Sequence, residues 1–533
     1  QASVLILAAV GLVLLIACAN VSSLLLSRAV ERQREIAIRA SLGAGFWRVA
    51  RELLAEGLVL AILGGAAGLA IARVLVKFLL RQLTAMPFAL PHLQSVALDA
   101  RALAFSAAVC VLLACLCTLG PLTFASRSDV RDALHSGGNN GRRSTRLFSV
   151  LIASEAAFAF LLLAGSGVLI RSLIRLETAD TGFHADHVLT MRVPIGTQMQ
   201  ANPKGKYDTR PRQIEFYREV LNRLSIVPGV RAVAVVNNLP LSEANTTTNG
   251  YRGPDGKPLN LAARTVSEQY FAVMGIRLLQ GHVFSEHEQD GVVINQYLAN
   301  LLFPDRNPLG QVLPSDAKVK STVIGVVANS WRRNYDEAAA GEIYIYYRKY
   351  MFGTFLSTIV ARTSGDPLAL ADILRKQVWA VEPDEPILKV QTMDDVIANS
   401  IWRPRVSAWI FGALGGLALA LTSFGIYGIM AYTTALRSKE VGIRVALGAT
   451  PGRIVAAVLQ SALTPLGVGL AAGLVAAMML SRLLASLLYE TSPTDPASYL
   501  GAAVLLLMLG IAACLRPALR AAASDPLHAM RAD

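Results

Sequence analysis

The sequence predicts an α-helical membrane protein of about seven spans with one mixed α/β domain outside the membrane. Three observations predict it. Apolar runs recur, each long enough to cross a bilayer as a helix. Arg and Lys cluster on one side of those runs. Ten residues near the start, EIAIRASLGA at 35–44, return as EVGIRVALGA at 440–449.

The apolar runs lie at roughly 3–26, 57–80, 102–124, 148–170, 406–433, 456–488 and 498–516. The chain of 533 residues is 53% hydrophobic and only 16% charged, with a mean hydropathy of +0.46. That average is too apolar for an ordinary soluble protein. The excess is confined to the runs. Residues 171–405 have the Pro, Gly, charge and short alternating segments of a soluble domain.

The formal net charge of +13 invites a nucleic-acid reading, and the positions of the charges argue against it. Arg28, Arg32, Arg34, Arg39, Arg48 and Arg51 follow the first run. Arg127, Arg131, Arg142, Arg143 and Arg146 separate the third from the fourth. Arg437, Lys439, Arg444 and Arg453 follow the fifth, and Arg516, Arg520 and Arg531 close the chain. The opposite loops, 84–98 and 489–497, contain no Lys or Arg. A positive-inside distribution of this kind places the N-terminus and residues 171–405 outside and the C-terminus in the cytoplasm. The partner implied is a lipid surface, and no nucleic acid is expected.

The repeat extends beyond its ten residues. Gly64 and Gly68 pair with Gly469 and Gly473, Pro121 with Pro517, and Ser128-Asp129 with Ser524-Asp525. Each copy is a three-span module, and both copies run in the same direction. This gives modules at 1–124 and 405–533, a cytoplasmic linker at 125–147, a fourth span at 148–174 and an external domain at 175–404. The paired glycines are four apart on a helix, so they predict close helix packing, with a sliding contact as the functional alternative. The chain opens at Gln1 almost inside its first span, which predicts that it is a piece of a longer protein.

Within the repeated stretch, Glu35 and Arg39 are i,i+4, as are Glu440 and Arg444. Ile36 with Ala40, and Val441 with Val445, make one face partly apolar, and Gly43 and Gly448 suit a helix C-terminus. Each copy predicts a short helix on the cytoplasmic membrane surface. It is either a lipid-held connector or a docking helix.

The external segment predicts a strand at 188–193, a helix at 210–225 and a strand at 231–236 entered through Pro228-Gly229. Further strands are expected near 292–294, 322–328, 343–347, 356–362 and 387–393, with helices near 295–303 and 367–381. Chemistry is not evident. His184-Ala-Asp-His187 spaces its histidines three apart beside Gly182 and reads as a loop. Gly253 to Pro258 reads as a turn, since it lacks the first Gly and the terminal Ser or Thr of a phosphate loop. The chain contains no Walker A sequence. The five cysteines all fall in spans, so no disulfide framework holds the external domain. Asn20 and Glu155 are polar residues in or near spans and are candidates for interhelical partners.

The pattern R-x-x-E-[IV]-x-I-R-x-x-L-G-A between two spans resembles the FtsX-like permease domain. So does the ending, Pro517-Ala518 followed by Ala523-Ser524-Asp525-Pro526-Leu527-His528-Ala529-Met530-Arg531. The segments VPGVRAVAVVNNLPL (227–241), YFAVMGIRLLQGHVF (270–284), VVINQYLANLLFPDRNPLGQVL (292–313) and STVIGVVANSWRR (321–333) resemble the MacB-type periplasmic core domain. Two permease modules without an ATPase resemble the duplicated orphan permeases of that family. A complete member would carry a further span and a first periplasmic domain before Gln1.

The resemblance implies a bacterial inner-membrane component of an ABC-type system, with the external domain in the periplasm and built as one subdomain inserted in another. It implies a cytoplasmic ATPase in trans that contacts Glu35, Ile36, Arg39, Leu42 and Gly43 in one copy and Glu440, Val441, Arg444, Leu447 and Gly448 in the other. ATP would be used by that partner, with no cofactor bound by this chain. A periplasmic adaptor or substrate protein is a further implied partner, and two pseudo-equivalent halves suit a monomer. Export or extraction of a substrate by mechanotransmission is the implied activity. The alternative is an ATPase-independent sensor or scaffold for periplasmic partners. No enzyme activity is expected of the chain itself.

Overall fold

The computed structural model describes residues 2–31, 46–84, 100–101, 104–112, 115, 139–195, 206–207, 209–241, 247–285, 291–315, 321–330, 341–348, 358–447, 449–484, 488 and 491–523. The chain divides into two compact units, residues 1–174 with 404–533, and residues 175–403.

The first unit is built from long helices: α1 (Ala2–Glu31), α2 (Phe46–Thr84), α3 (Asn139–Glu177), α9 (Trp402–Leu436), α11 (Pro451–Leu484) and α12 (Pro496–Ala522). Among the described residues each contains one segment long and apolar enough to cross a membrane. The expected third span, 102–124, is described only in part, and 104–112 are helical. Pro465 and Pro517 lie inside α11 and α12. Apolar helices tolerate such prolines where neighbouring helices cover the freed backbone groups. A core of Ile16 from α1, Ile152, Phe160 and Leu162 from α3, Ala418 from α9, Leu466 from α11 and Leu506 from α12 joins five of the six helices. Most described side chains of α2 are exposed.

Helix α12 starts at a cap legible in the sequence Asp495-Pro-Ala-Ser498. The Asp495 carboxylate accepts from Ser498 N at 2.9 Å and Ser498 Oγ at 2.7 Å. Arg171 Nη1 donates to the same carboxylate at 2.7 and 2.6 Å, which ties the end of α3 to the start of α12.

The second unit is a ten-stranded mixed sheet in the order β10-β1-β9-β2-β4-β8-β6-β7-β5, with β3 on β4. Strands β1 (Val188–Arg192), β2 (Val230–Val236), β9 (Thr358–Thr363) and β10 (Leu388–Thr392) form one side. Strands β3 (Thr247–Arg252), β4 (Pro258–Val266), β5 (Leu278–Gly281), β6 (Gly291–Asn295), β7 (Thr322–Val327) and β8 (Glu342–Tyr346) form the other. Residues 247–346 are therefore an insertion between β2 and β9. The two sides meet at a single pairing, Val236 with Val266. Only β4 with β8 and β6 with β7 run parallel.

The described residues also form short α-helices: α4 (Arg210–Ser225), α5 (Tyr270–Met274), α6 (Gln296–Leu302), α7 (Ala371–Trp379) and α8 (Met393–Ser400) in the second unit, and α10 (Ser438–Ala446) in the first. Asn295 caps α6 by accepting from Leu298 N at 3.1 Å. Thr392 and Asp395 form a capping box on α8.

Candidate functional site

The candidate coupling site is α10. It follows the last residues of α9 after a break at Arg437 and ends before α11, whose first residue is Pro451. Glu440 lies in its first turn and Arg444 in its last, the placement that opposes the helix dipole. The two side chains form an ion pair, and both are more than half exposed. Such a pair contributes about 0.3–0.5 kcal/mol, so it is not what holds the helix. Anchoring comes from Val441, which packs with Val445 against Ile454 of α11 and Ala521 and Ala522 of α12. The other apolar residues face outward: Ile443 is 52% exposed and Leu447 83%. The helix thus presents two bare aliphatic side chains beside one acid and one base. Gly448 and the first-copy residues Glu35, Ile36, Arg39, Leu42 and Gly43 lie outside the described residues.

The glycine pairs of the two modules occupy different surroundings. A Cβ on Gly469 would stand 2.2 Å from the carbonyl oxygen of Ala153, and one on Gly473 2.8 Å from that of Ala157. The backbones of α11 and α3 therefore touch through these two positions, as small residues four apart permit. Gly64 and Gly68 of α2 have no described residue within 4 Å of a Cβ.

Arg362 donates to the carbonyls of Val273 at 2.8 Å, Asp186 at 2.9 Å and His184 at 2.8 Å. The His184 to His187 loop is thus held through its backbone by one guanidinium. Among the described residues no three His, Cys, Asp or Glu side chains are grouped to hold a metal ion.

Arg264 of β4 and Glu342 of β8, both buried, form an ion pair in which Nε and Nη2 both donate to Glu342 Oε1, at 3.2 and 3.0 Å. Glu342 also accepts from Ser330 Oγ and Tyr344 OH, each at 2.7 Å, and Arg264 donates to the Asn238 carbonyl at 2.8 Å.

Burial and then the neighbouring charge of Glu382 push Glu385 up to about 7 from an ordinary value near 4.5. Glu382 itself is held low by hydrogen bonds from Lys206 and Tyr207. The folded state keeps the Glu385 proton between about 4.5 and 7 while the unfolded chain loses it, so stability falls as pH rises through that window. Glu385→Gln is expected to raise the melting temperature of the external unit relative to wild type at pH 8 and to leave it unchanged at pH 4.5. Thermal unfolding at both pH values checks this.

Residues 7–130 and 412–526 match the family FtsX-like permease C-terminal, and residues 157–376 match the MacB-like periplasmic core domain. The macrolide export ATP-binding/permease protein MacB 1/2 of Paracoccus denitrificans is 28% identical over 281 residues, covering 50% of this chain and 41% of the relative. MacB of Neisseria gonorrhoeae is 29% identical over 326 residues, 56% of this chain and 47% of the relative. The uncharacterized ABC transporter permease YknZ of Bacillus subtilis is 24% identical over 279 residues, 50% of this chain and 68% of the relative. The chain thus spans less than half the length of these two MacB relatives.

Among solved structures, the periplasmic region of MacB from Actinobacillus actinomycetemcomitans covers 42% of this chain and 97% of its own, at 19% identity and a TM-score of 0.29. With both permease modules and the intervening domain matched, the chain belongs to the FtsX-like, MacB-type permeases of ABC transporters.

Proposed function

We propose that the chain is the membrane-spanning, force-transmitting part of an ABC-type system, driven by a cytoplasmic ATPase acting in trans. The ATPase docks on α10 through Glu440, Ile443, Arg444 and Leu447, and on the corresponding segment Glu35 to Gly43. ATP-driven movement of these segments shifts the spans and through them the external domain, for export or extraction of a substrate. ATP is bound and hydrolysed by the partner. The reading is supported above all by α10: it is anchored on one face by Val441 and leaves aliphatic and paired charged groups bare on the other. Two pseudo-equivalent docking segments in one chain match the two-fold symmetry of an ATPase dimer.

Reversing Glu35 and Glu440 to Lys is expected to weaken ATPase binding by about tenfold or more, because like charges would face each other at the contact. Purification of the full-length protein from native membranes, with quantitative mass spectrometry and an ATP hydrolysis assay, checks this. The fold is expected to survive, since the exposed Glu440 pair adds little to stability. Wild type that recovers no ATPase, with periplasmic proteins in its place, would move the assignment to a sensor or scaffold.

A further inference from the structure

The helical bundle buries a carboxyl group that has no partner among the described residues. Glu155 of α3 is 0% exposed, and neither of its oxygens has a hydrogen-bond donor among the described residues. Asn20 of α1 and Gly425 of α9 meet it. A Cβ on Gly425 would lie 2.0 Å from Asn20 Oδ1 and 2.4 Å from Glu155 Oε2, so both oxygens crowd one small space beside that glycine. Asn20 is oriented by its own amide, which donates from Nδ2 to the Leu421 carbonyl at 2.9 Å. Its Oδ1 has no donor among the described residues. Thr422 Oγ1, on the buried face of α9, has none either. Other hydroxyls nearby are committed to their own helices: Ser23 to Asn20 O, Ser154 to Leu151 O and Ser423 to Leu419 O.

No counter-charge is available along these helices. α1 has no acid or base before Arg28. On α3, Glu155 stands alone between Arg146 and Arg171. α9 has none between Arg405 and Arg437, and α11, packed on α3 at Ala153, has none between Arg453 and Arg482. The remaining titratable groups of α1 and α9 in these stretches are the Cys18 thiol and the Tyr427 and Tyr432 phenols. α12 adds the Tyr499 phenol, the Cys514 thiol and two exposed cations, Arg516 and Arg520. An ionised carboxylate that is both dry and unpaired is among the most unfavourable groups a bundle can hold. Two acceptor oxygens in one small space add repulsion. One proton between them removes both problems.

We propose that Glu155 holds a proton and donates it to Asn20 Oδ1, which makes the junction of α1, α3 and α9 a proton-binding site inside the bundle. The proton is taken from water as the carboxyl O–H bond forms, and it returns to water only when the three helices part. Any motion that opens this junction is therefore linked to proton release and uptake.

Infrared spectroscopy of the full-length protein in lipid nanodiscs at neutral pH tests the site. The wild-type spectrum minus that of Glu155→Gln is expected to contain the carbonyl band of a protonated carboxylic acid. Asn20→Val is expected to shift that band to the frequency of a free acid. Glu155→Gln should fold normally, since its amide N–H replaces the donated proton, so this difference stands even where Asn20→Val does not fold. A difference spectrum without the band would overturn the proposal. So would a band that disappears when sodium replaces choline in the buffer, which would identify a metal-cation site. A band unmoved by Asn20→Val would overturn the bond to Asn20.

Discussion

Replacing Gly469 with valine is expected to destabilise the bundle by about 3 kcal/mol or more, the upper end of what overpacking does. The obstacle is the carbonyl oxygen of Ala153, 2.2 Å from where the Cβ would stand. It is backbone of α3, so it moves only if the helix moves. Shifting α3 away from α11 also opens the neighbouring contact at Gly473, where the Ala157 carbonyl would be 2.8 Å away. At the corresponding Gly64 an added Cβ meets open space among the described residues. Gly64→Ala and Gly68→Ala should therefore change stability by no more than about 1 kcal/mol, in the stabilising direction that Ala gives over Gly within a helix. Thermal unfolding of the detergent-solubilised protein, with Gly469→Val set against Gly64→Ala and Gly68→Ala, checks the contrast. Equal losses in the two modules would mean that α2 is as tightly packed as α11.

Glu342→Ala is expected to cost about 3–5 kcal/mol and to unfold the inserted half of the external sheet first. The substitution leaves Arg264, which is 2% exposed, as an unpaired cation in the core, and it removes the acceptor of Ser330 and Tyr344. Glu342 stands on β8 and Arg264 on β4, so the pair clips the parallel junction that carries β6, β7 and β5 beyond it. The double variant Arg264→Met with Glu342→Leu should recover much of the loss, because a buried pair replaced by apolar groups of similar volume is often neutral. Limited proteolysis of the full-length protein would locate the first cleavage between residues 247 and 346 in the single variant. Glu440 and Arg444 form the same kind of pair in water, where breaking it should matter ten times less.

Several elements were legible in the sequence. The strands at β1, β2 and β6 to β10 and the helices α4, α6 and α7 arise where apolar residues alternate or recur at helical spacing between turn residues. Strands β3, β4 and β5 and helices α5 and α8 were not. β4 reads PLNLAARTV, and its Arg264 and Thr265 look like exposed polar residues. Both are buried, because Glu342, 78 residues away, neutralises the arginine and Asn237 Oδ1 accepts from the Thr265 amide at 3.0 Å. α5 has five residues and β5 four, too few for a period to register.

The sequence by itself determined that the chain is a helical membrane protein with a MacB-type α/β domain between two related modules. A span is recognised by the length of its own apolar run, and a repeat by its own residues, so neither needs a contact to be known. The tertiary structure decided which glycine pair is packed, which face of α10 is bare, and that Asn20 and Glu155 share one junction. Asn20 reaches Leu421 across 401 residues of chain. Close packing joins residues regardless of their separation in sequence, and no local pattern records which distant helix supplies the carbonyl or the oxygen on the other side.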